Sequence, residues 1–324
     1  MILIFSTIND TSTQYVLNWL NFYKAEVILI NELNAIVDII FDINSNTGDN
    51  SFSVTLENGT KFSSGDITVV WYRRGLYFFK YQFQELKGKE NFDPLFCHLK
   101  EEYEKLTQYM FFCIKEKTIG NYDLQTINKL IILKEAQKAG FKIPETRVLT
   151  NAKNAFKFKH INKNISEVIT TEYLGKILYN RTSVQKKYNT QTFFPSLIQR
   201  EISKIVELRV FIFLNKIFCV AIFPPKNGFL TNDIRDFTGK EIFRTFPYNI
   251  PNRLKLTIGM LLDNISCNTC SIDIIGDQDG NYYFLELNPV GQFGSIAAQA
   301  GFNIEKYIAQ NLIKNAKSKK RIYQ

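Results

Sequence analysis

Cys270-Ser271-Ile272-Asp273-Ile274-Ile275, a polar turn over residues 276–280, and Asn281-Tyr282-Tyr283-Phe284-Leu285-Glu286-Leu287-Asn288-Pro289 read as the two strands of a β-hairpin. Side chains alternate between faces along a strand. Tyr283, Leu285 and Leu287 therefore share one face, and Phe284, Glu286 and Asn288 the other. A turn of two or four residues sets Asp273 opposite Phe284, on the face of Glu286 and Asn288. Asp273 and Glu286 are then diagonal neighbours, roughly 7–8 Å apart at the backbone. Two carboxylates and an amide oxygen are hard donors of the kind Mg²⁺ takes, with a nucleotide's phosphates completing the octahedron. Two such ions about 3.5–4 Å apart clamp a phosphoryl group in transfer. The competing reading is a surface hairpin with solvated charges. Glu286 counts against it, because it sits in Tyr-Tyr-Phe-Leu-Glu-Leu, a run apolar on both faces. An unpaired charge is costly there.

The chain has 324 residues, of which 45% are hydrophobic and 14% aromatic. That is enough for a large interior divided into two or three domains. No apolar run approaches the length of a membrane span. Met1-Ile-Leu-Ile-Phe-Ser6 lacks a basic n-region and reads as a first strand, not a signal peptide. The five cysteines are an odd set without framework spacing, which suits a reducing cytoplasm. Cys267-Asn-Thr-Cys270 is a lone CxxC; zinc would need a second pair, and His98 and His160 are distant. It reads as a redox pair or as two cysteines that happen to precede a strand. The net charge of +9 favours anionic partners such as nucleotide phosphates or an acidic peptide. It is accompanied by no nucleic-acid-binding motif or aromatic platform. The basic cluster at 314–321 reads as a solvated extension of a helix end.

Residues 1–75 read as α/β: strands at 2–6, 26–31, 36–43, 51–57 and 67–72, and a helix to Tyr23 capped by Thr11 or Ser12. A long helix covers 93–115 and another 124–139, stopped by Gly140. A small domain follows, with a helix from Asn151, a strand at 168–171 and a polar loop or lid at 175–192. Strands 207–214 and 216–224 pair about Asn215; helix 251–264 leads into the hairpin, and an amphipathic helix at 303–315 closes the pattern.

Other residues carry chemistry beside the hairpin. Glu207 and Arg209 share a strand face, either as a surface ion pair or as binders of a ribose hydroxyl and a phosphate. Asp233-Ile-Arg235 offers a second arginine, or a loop salt bridge. Arg73 and Arg74 end a buried strand, where open α/β sheets gather ligands; they read as an anion site or as solvated side chains. Gly291, Gly294 and Gly301 permit a tight turn near a phosphate, but no dinucleotide or P-loop glycine pattern is present.

Taken together, these segments resemble the ATP-grasp ligases, and within them the graspetide synthetases, which install ω-esters in peptides. The chain is most similar there to the GRASP-with-SPASM (GwsG-like) maturases. The matching text runs in order along nearly the whole chain: Val70-Trp-Tyr-Arg-Arg74, Asn128-Lys-Leu, Ala139-Gly-Phe-Lys-Ile-Pro144, Gln199-Arg-Glu-Ile202, Glu207-Leu-Arg209, Asp233-Ile-Arg235, Pro247-Tyr-Asn-Ile-Pro251, Ser271-Ile-Asp273 and Phe284-Leu-Glu-Leu-Asn-Pro-Val-Gly-Gln-Phe-Gly294. The resemblance implies an α/β (α+β) ATP-grasp fold with an N-terminal pre-ATP-grasp domain (1–120), a small central domain (121–200) and a C-terminal antiparallel-sheet domain (201–324).

It also implies a reaction and roles. ATP phosphorylates an Asp or Glu side chain of a ribosomal precursor peptide; a Ser or Thr hydroxyl or Lys amine then displaces phosphate, closing an ω-ester or ω-amide ring. Asp273, Glu286 and Asn288 would hold two Mg²⁺ ions. Arg209 and Arg235 would neutralise the transferring phosphate and position the carboxylate. Glu207 would bind the ribose, and Gln199, Arg200, Glu201 and Ile202 would line adenine. The implied partners are a precursor with a leader and a Ser/Thr plus Asp/Glu core, a companion SPASM-domain protein and a second copy in a homodimer. The implied setting is cytoplasmic, with no membrane and no nucleic acid. One position departs from the pattern. The small-domain strand that usually carries an ATP lysine has Thr171 or Glu172, leaving Lys176 as the nearby substitute. The alternatives are another ATP-grasp carboxylate–amine ligase, for an amino acid or a protein tail, and a degenerate, non-catalytic peptide-binding module.

Overall fold

The computed structural model describes residues 1–43, 50–76, 78–80, 94–166, 170–173, 176–179, 183–185, 191–223 and 244–320. The chain clusters into two compact units: Met1–Gln125 with Pro289–Gly294 and Asn303–Gln324, and Thr126–Asn288 with Ser295–Phe302.

The first unit contains β1 (Ile2–Phe5), α1 (Thr11–Phe22), β2 (Val27–Ile30), β3 (Ile36–Ile43), β4 (Asn50–Leu56), β5 (Lys61–Ser63), β6 (Val69–Tyr72), α2 (Pro94–Cys113) and β7 (Thr118–Ile119). Strands β2-β1-β6-β7 form a parallel sheet, and β3-β4-β5 an antiparallel one. Every residue of β1 and β6 is buried, as expected of a parallel sheet covered on both faces. The helix Ile304–Lys320 packs against α1, β1 and β6, burying Ile304, Ile308 and Leu312. It runs past the expected end at 315, through the lysines of the basic cluster. Phe5 lies 4.8 Å from both Phe78 and Phe111, within favourable ring-contact range. The cap of α1 is Asp10, not Thr11 or Ser12; its carboxylate accepts from Thr13 N at 3.0 Å.

The second unit contains α3 (Lys129–Lys138), β8 (Thr146–Asn151), β9 (His160–Lys163), β10 (Thr170–Tyr173), β11 (Lys176–Tyr179), β12 (Ser183–Gln185), β13 (Thr192–Arg200), β14 (Lys204–Phe213), β15 (Lys216–Phe223), β16 (Arg244–Pro247), α4 (Asn252–Asn264), β17 (Thr269–Asp277) and β18 (Tyr282–Asn288). Helix α3 is shorter than the predicted 124–139. Tyr122–Leu124 is a 3₁₀ turn, and the Asn128 side chain caps the helix by accepting from Leu130 N and Ile131 N at 3.0 and 3.3 Å. Gly140, at φ 100°, ends it as predicted.

The helix predicted from Asn151 does not form. Asn151 caps only the 3₁₀ turn Ala152–Asn154, after which Phe156, Phe158 and His160 recur with the strand period of two. That pattern feeds β9, which lies in the antiparallel sheet β12-β9-β13-β8. The polar stretch at 175–192 contains β11, β12, Gln191 and the first residue of β13; its other residues lie outside those described. The largest sheet in this unit is antiparallel, in the order β16-β15-β14-β17-β18.

Candidate functional site

The hairpin β17–β18 forms, with a register that differs from the prediction. Asp277 N donates to Asn281 O at 3.1 Å, so the loop has three residues and ends on Gly280 at φ 76°. Loops of this length need such a left-handed residue. The Asp277 carboxylate fastens the loop by accepting from Asp279 N at 3.0 Å and Asn281 N at 2.8 Å. A three-residue loop alone would set Asp273 opposite Leu285. A bulge between Asp273 and Ile274 adds a second one-residue slip. The observed pairs are Ser271 with Asn288, Asp273 with Glu286, and Ile274 with Phe284. The two slips restore the predicted face for Asp273 and change the geometry from diagonal to direct, about 4.5–5.5 Å between Cβ atoms. They also place Phe284 on the face opposite Glu286, against the simple alternation. Phe284 and Leu287 are buried, and their spacing of three marks the bulge.

Strand β14 extends the face. Arg209 pairs in register with Asp273, and Phe211 with Ser271. Arg209 Nη1 donates to Asp273 Oδ2 at 2.5 Å, Arg209 Nη2 meets Glu207 at 3.1 Å, and Lys204 Nζ meets the other Glu207 oxygen at 2.9 Å. Burial pushes the Asp273 carboxyl up to about 7; Glu286 and Glu207 add to the rise, while Arg209 and Lys163 oppose it. Burial alone would lower the Arg209 pKa, but Asp273, Glu207 and Glu286 outweigh it and hold the guanidinium charged. The donor set suits Mg²⁺: two carboxylates face to face and an amide from Asn288 on the same face. Among the described residues no three His, Cys, Asp or Glu side chains gather into a metal cluster.

Beside this face, along β18, the structure brings two lysines that the sequence reading left without a role. Helix α3 and the segment after it pack on β18. Phe284 N donates to Lys142 O at 2.9 Å, and the Phe141 and Phe284 rings lie 5.3 Å apart. Lys129 thereby lines a cleft with Lys163 of β9, Leu197 and Gln199 of β13, and Phe284 and Glu286. Burial pushes the Lys163 ammonium down; Glu286, Asp273 and Glu207 oppose that, and Lys129 adds to it. Lys163 of β9 lies within electrostatic reach of Glu286 and Asp273; the side chains of the strand expected to carry a lysine lie outside those described. The available signal was the period-two run from Phe156, which continues through Asn162-Lys163. The cleft walls are closed on one another: the free space is about 10 Å³, room for one water at most, and a nucleotide would have to part them.

The remaining predicted residues divide. Gln199 is buried in the cleft wall, its Nε2 donating to Thr146 Oγ1 at 3.0 Å. Arg200 stacks over Phe158 at 5.2 Å, Glu201 pairs with Lys159 at 2.7 Å, and Ile202 is half-buried in the segment between β13 and β14. Lys176 opens β11 opposite Tyr173; its side chain lies outside those described. Arg235 lies outside the described residues. Cys267 and Cys270 are both buried, and the Cys267 thiol donates to Thr269 O at 3.2 Å.

Arg73 and Arg74 make neither an anion site nor a solvated pair. Within the first unit, Arg73 is 4% exposed and bonds Asp10 through Nε and Nη2 at 3.2 and 3.4 Å. Gln292 Nε2 donates to Asp10 Oδ1 at 2.8 Å, Ser12 Oγ donates to Gln292 Oε1 at 2.7 Å, and Arg74 Nη2 donates to Val290 O at 3.1 Å. The segment Pro289–Gly294, read as a turn near phosphate, is thus held by a buried clamp in that unit.

No protein-family model matches the chain, and no curated protein sequence does. Solved structures do. One is a RiPP-associated ATP-grasp ligase from Chryseobacterium gregarium, in complex with ADP and a leader and core peptide; it is 23% identical over 97% of this chain and 96% of that one, with a TM-score of 0.73. The macrocyclase MdnC from Microcystis aeruginosa MRC, bound with the precursor peptide MdnA, is 21% identical over 97% and 99%, at 0.72. A D-alanine–D-alanine ligase from Bacillus anthracis is 13% identical over 99% and 98%, at 0.52. Matched along nearly its whole length by ligases of one architecture, the chain has the ATP-grasp fold.

Proposed function

We propose that the chain is an ATP-dependent peptide macrocyclase of the graspetide type. The observation that carries this reading is the shared face of Asp273, Glu286, Asn288 and Arg209, with Lys129 and Lys163 beside it, in a fold shared with peptide-bound ligases. Asp273, Glu286 and Asn288 would hold Mg²⁺, which when bound offsets charge on the nucleotide's phosphates. Lys129 and Lys163 reach into the cleft as the phosphate-binding cations, in the place first sought at Thr171, Glu172 or Lys176. Arg209, with Arg235, orients the acceptor carboxylate toward the γ-phosphoryl. Glu207 and residues 199–202 serve the ribose and adenine. Transfer yields an acyl phosphate and ADP; a Ser or Thr hydroxyl or Lys amine attacks the acyl carbon, phosphate leaves, and one water is lost in total per ring.

The segments 1–120, 121–200 and 201–324 correspond in this reading to the pre-ATP-grasp, small and C-terminal domains. The substrate is a ribosomal precursor with a leader. A homodimer, a SPASM-domain companion and a cytoplasmic setting complete the reading. Among the described residues no helix is long and apolar enough to cross a membrane. The non-catalytic alternative was motivated by a missing small-domain lysine, and the position of Lys163 in the cleft speaks for the catalytic reading. The likeness to a D-alanine–D-alanine ligase keeps a carboxylate–amine ligase as the second reading.

Co-expression with a short peptide encoded beside the gene, rich in Thr/Ser and Asp/Glu, tests the first reading by mass spectrometry. Loss of whole water masses that hydroxide restores supports ester rings. ATP hydrolysis stimulated by a free amino acid and by no peptide would replace this reading with the second.

A further inference from the structure

Two donors on the site face stand without acceptors. Ser271 Oγ and Arg209 Nε are both buried, and neither has a hydrogen-bond partner among the described residues. By register they are diagonal neighbours. Arg209 pairs with Asp273, and Ser271 precedes Asp273 by two positions on the same strand with no slip between. Both side chains therefore lie on the face that carries Asp273, Glu286 and Asn288. Phe211, which pairs with Ser271 on the other side, is buried and keeps the surroundings apolar. A buried hydroxyl or guanidinium N–H without a partner is expensive, and a native fold that keeps two of them on one face needs a reason. Arg209 Nε–H can only donate and the Ser271 hydroxyl can donate or accept, so one acceptor would satisfy both. With a guanidinium as one of the pair, that acceptor is an anionic oxygen.

We propose that Ser271 Oγ–H and Arg209 Nε–H form a two-point seat for one oxygen of the reacting anion, with Ser271 as a substrate-contacting residue of the transfer. The inference rests on the macrocyclase reading and adds a residue to that site. Two sources share the chemistry: the peptide carboxylate before activation, and the phosphoryl group in transit. A ligand-facing hydroxyl and a structural one respond differently to removal. Deleting a structural hydroxyl leaves a partner unsatisfied and lowers stability. Deleting one that has no hydrogen-bond partner among the described residues does not.

The experiment compares Ser271→Ala and Ser271→Thr with wild type by thermal melting, by affinity for MgADP, and by steady-state ring closure on the cognate precursor. Ser271→Ala should melt at or above the wild-type temperature and bind MgADP as wild type does. It should lose roughly tenfold or more in kcat/KM, the worth of a hydrogen bond to a charged acceptor. Ser271→Thr, which keeps the hydroxyl, should recover most of that loss. A rise in peptide KM assigns the seat to the carboxylate; a fall in kcat at unchanged KM assigns it to the phosphoryl group. Wild-type activity in Ser271→Ala, or a loss matched by a lowered melting temperature, overturns the Ser271 inference alone. A wild-type protein that neither binds MgADP nor closes rings overturns the macrocyclase reading, and this inference with it.

Discussion

Replacing Asp10 by Ala should bring the first unit close to unfolding, although Asp10 lies on a helix cap. The carboxylate is fully buried and serves two guanidiniums, at 3.2 Å for Arg73 and 3.7 Å for Arg74. It also accepts from Thr13 N, Thr13 Oγ1 and Gln292 Nε2. Burial raises the Asp10 pKa, but Arg73, Thr13, Gln292 and Arg74 together bring it below the usual carboxylate value. Burial pushes Arg73 down to about 10, with Asp10 opposing and Arg74 adding to the fall. Removing the carboxylate leaves Arg73 as an uncompensated buried charge beside a like charge. A broken buried pair costs about 3–5 kcal/mol and a lost cap about 1 kcal/mol, so the sum is about 4–6 kcal/mol. That approaches the lower end of ordinary domain stability, about 5–15 kcal/mol.

Both tryptophans, Trp19 and Trp71, lie in this unit, so urea unfolding followed by tryptophan emission reads it selectively. The double variant Asp10→Asn with Arg73→Met removes both charges and should be less destabilised than Asp10→Ala alone. The pH dependence carries a sign. A carboxyl whose folded pKa is depressed contributes stability that is present above its unfolded value, near 3.8, and is lost as pH falls through the folded one. The gap between wild type and Asp10→Asn should therefore close below about pH 4. An Asp10→Ala variant within about 1 kcal/mol of wild type, or a gap that widens in acid, refutes the reasoning.

The other expectations concern the site. Asp273→Ala or Glu286→Gln should abolish ring closure while far-UV circular dichroism stays native, because each removes charge that a metal needs; undiminished loss of water masses would defeat the metal assignment. Arg209→Ala should lower kcat by about 10²–10³ with nucleotide affinity little changed, and Arg209→Lys should rescue only part of it, since an ammonium lacks the fork; collapsed nucleotide binding with intact turnover would reverse the role. Lys163→Met should weaken MgADP binding roughly 10- to 100-fold, the worth of one hydrogen bond to a charged group, as read by calorimetry. Unchanged affinity would return the phosphate role to another cation.

Much of the fold was legible in local pattern. The apolar quartet at β1, the hairpin of β14 and β15 and the glycine stop of α3 follow from periodicity and turn chemistry within a few residues. The shared face of Asp273 and Glu286 follows too, although strict alternation pairs them in a register that does not occur. A loop one residue longer than a two-residue turn and one bulge are each invisible to strict alternation, and only their sum kept the parity.

What the tertiary structure alone decided is the identity of partners. Asp10 meets Arg73 across 63 residues and Gln292 across 282, so nothing near Arg73 in sequence announces a buried carboxylate. Lys163 reaches Glu286 and Asp273 because β9 and β18 both border one cleft, a proximity set by sheet order. Alternation and capping act over a few bonds and are written in neighbouring residues. The acceptor of a buried charge is chosen by which distant strands pack together, and that choice exists only after the chain has folded.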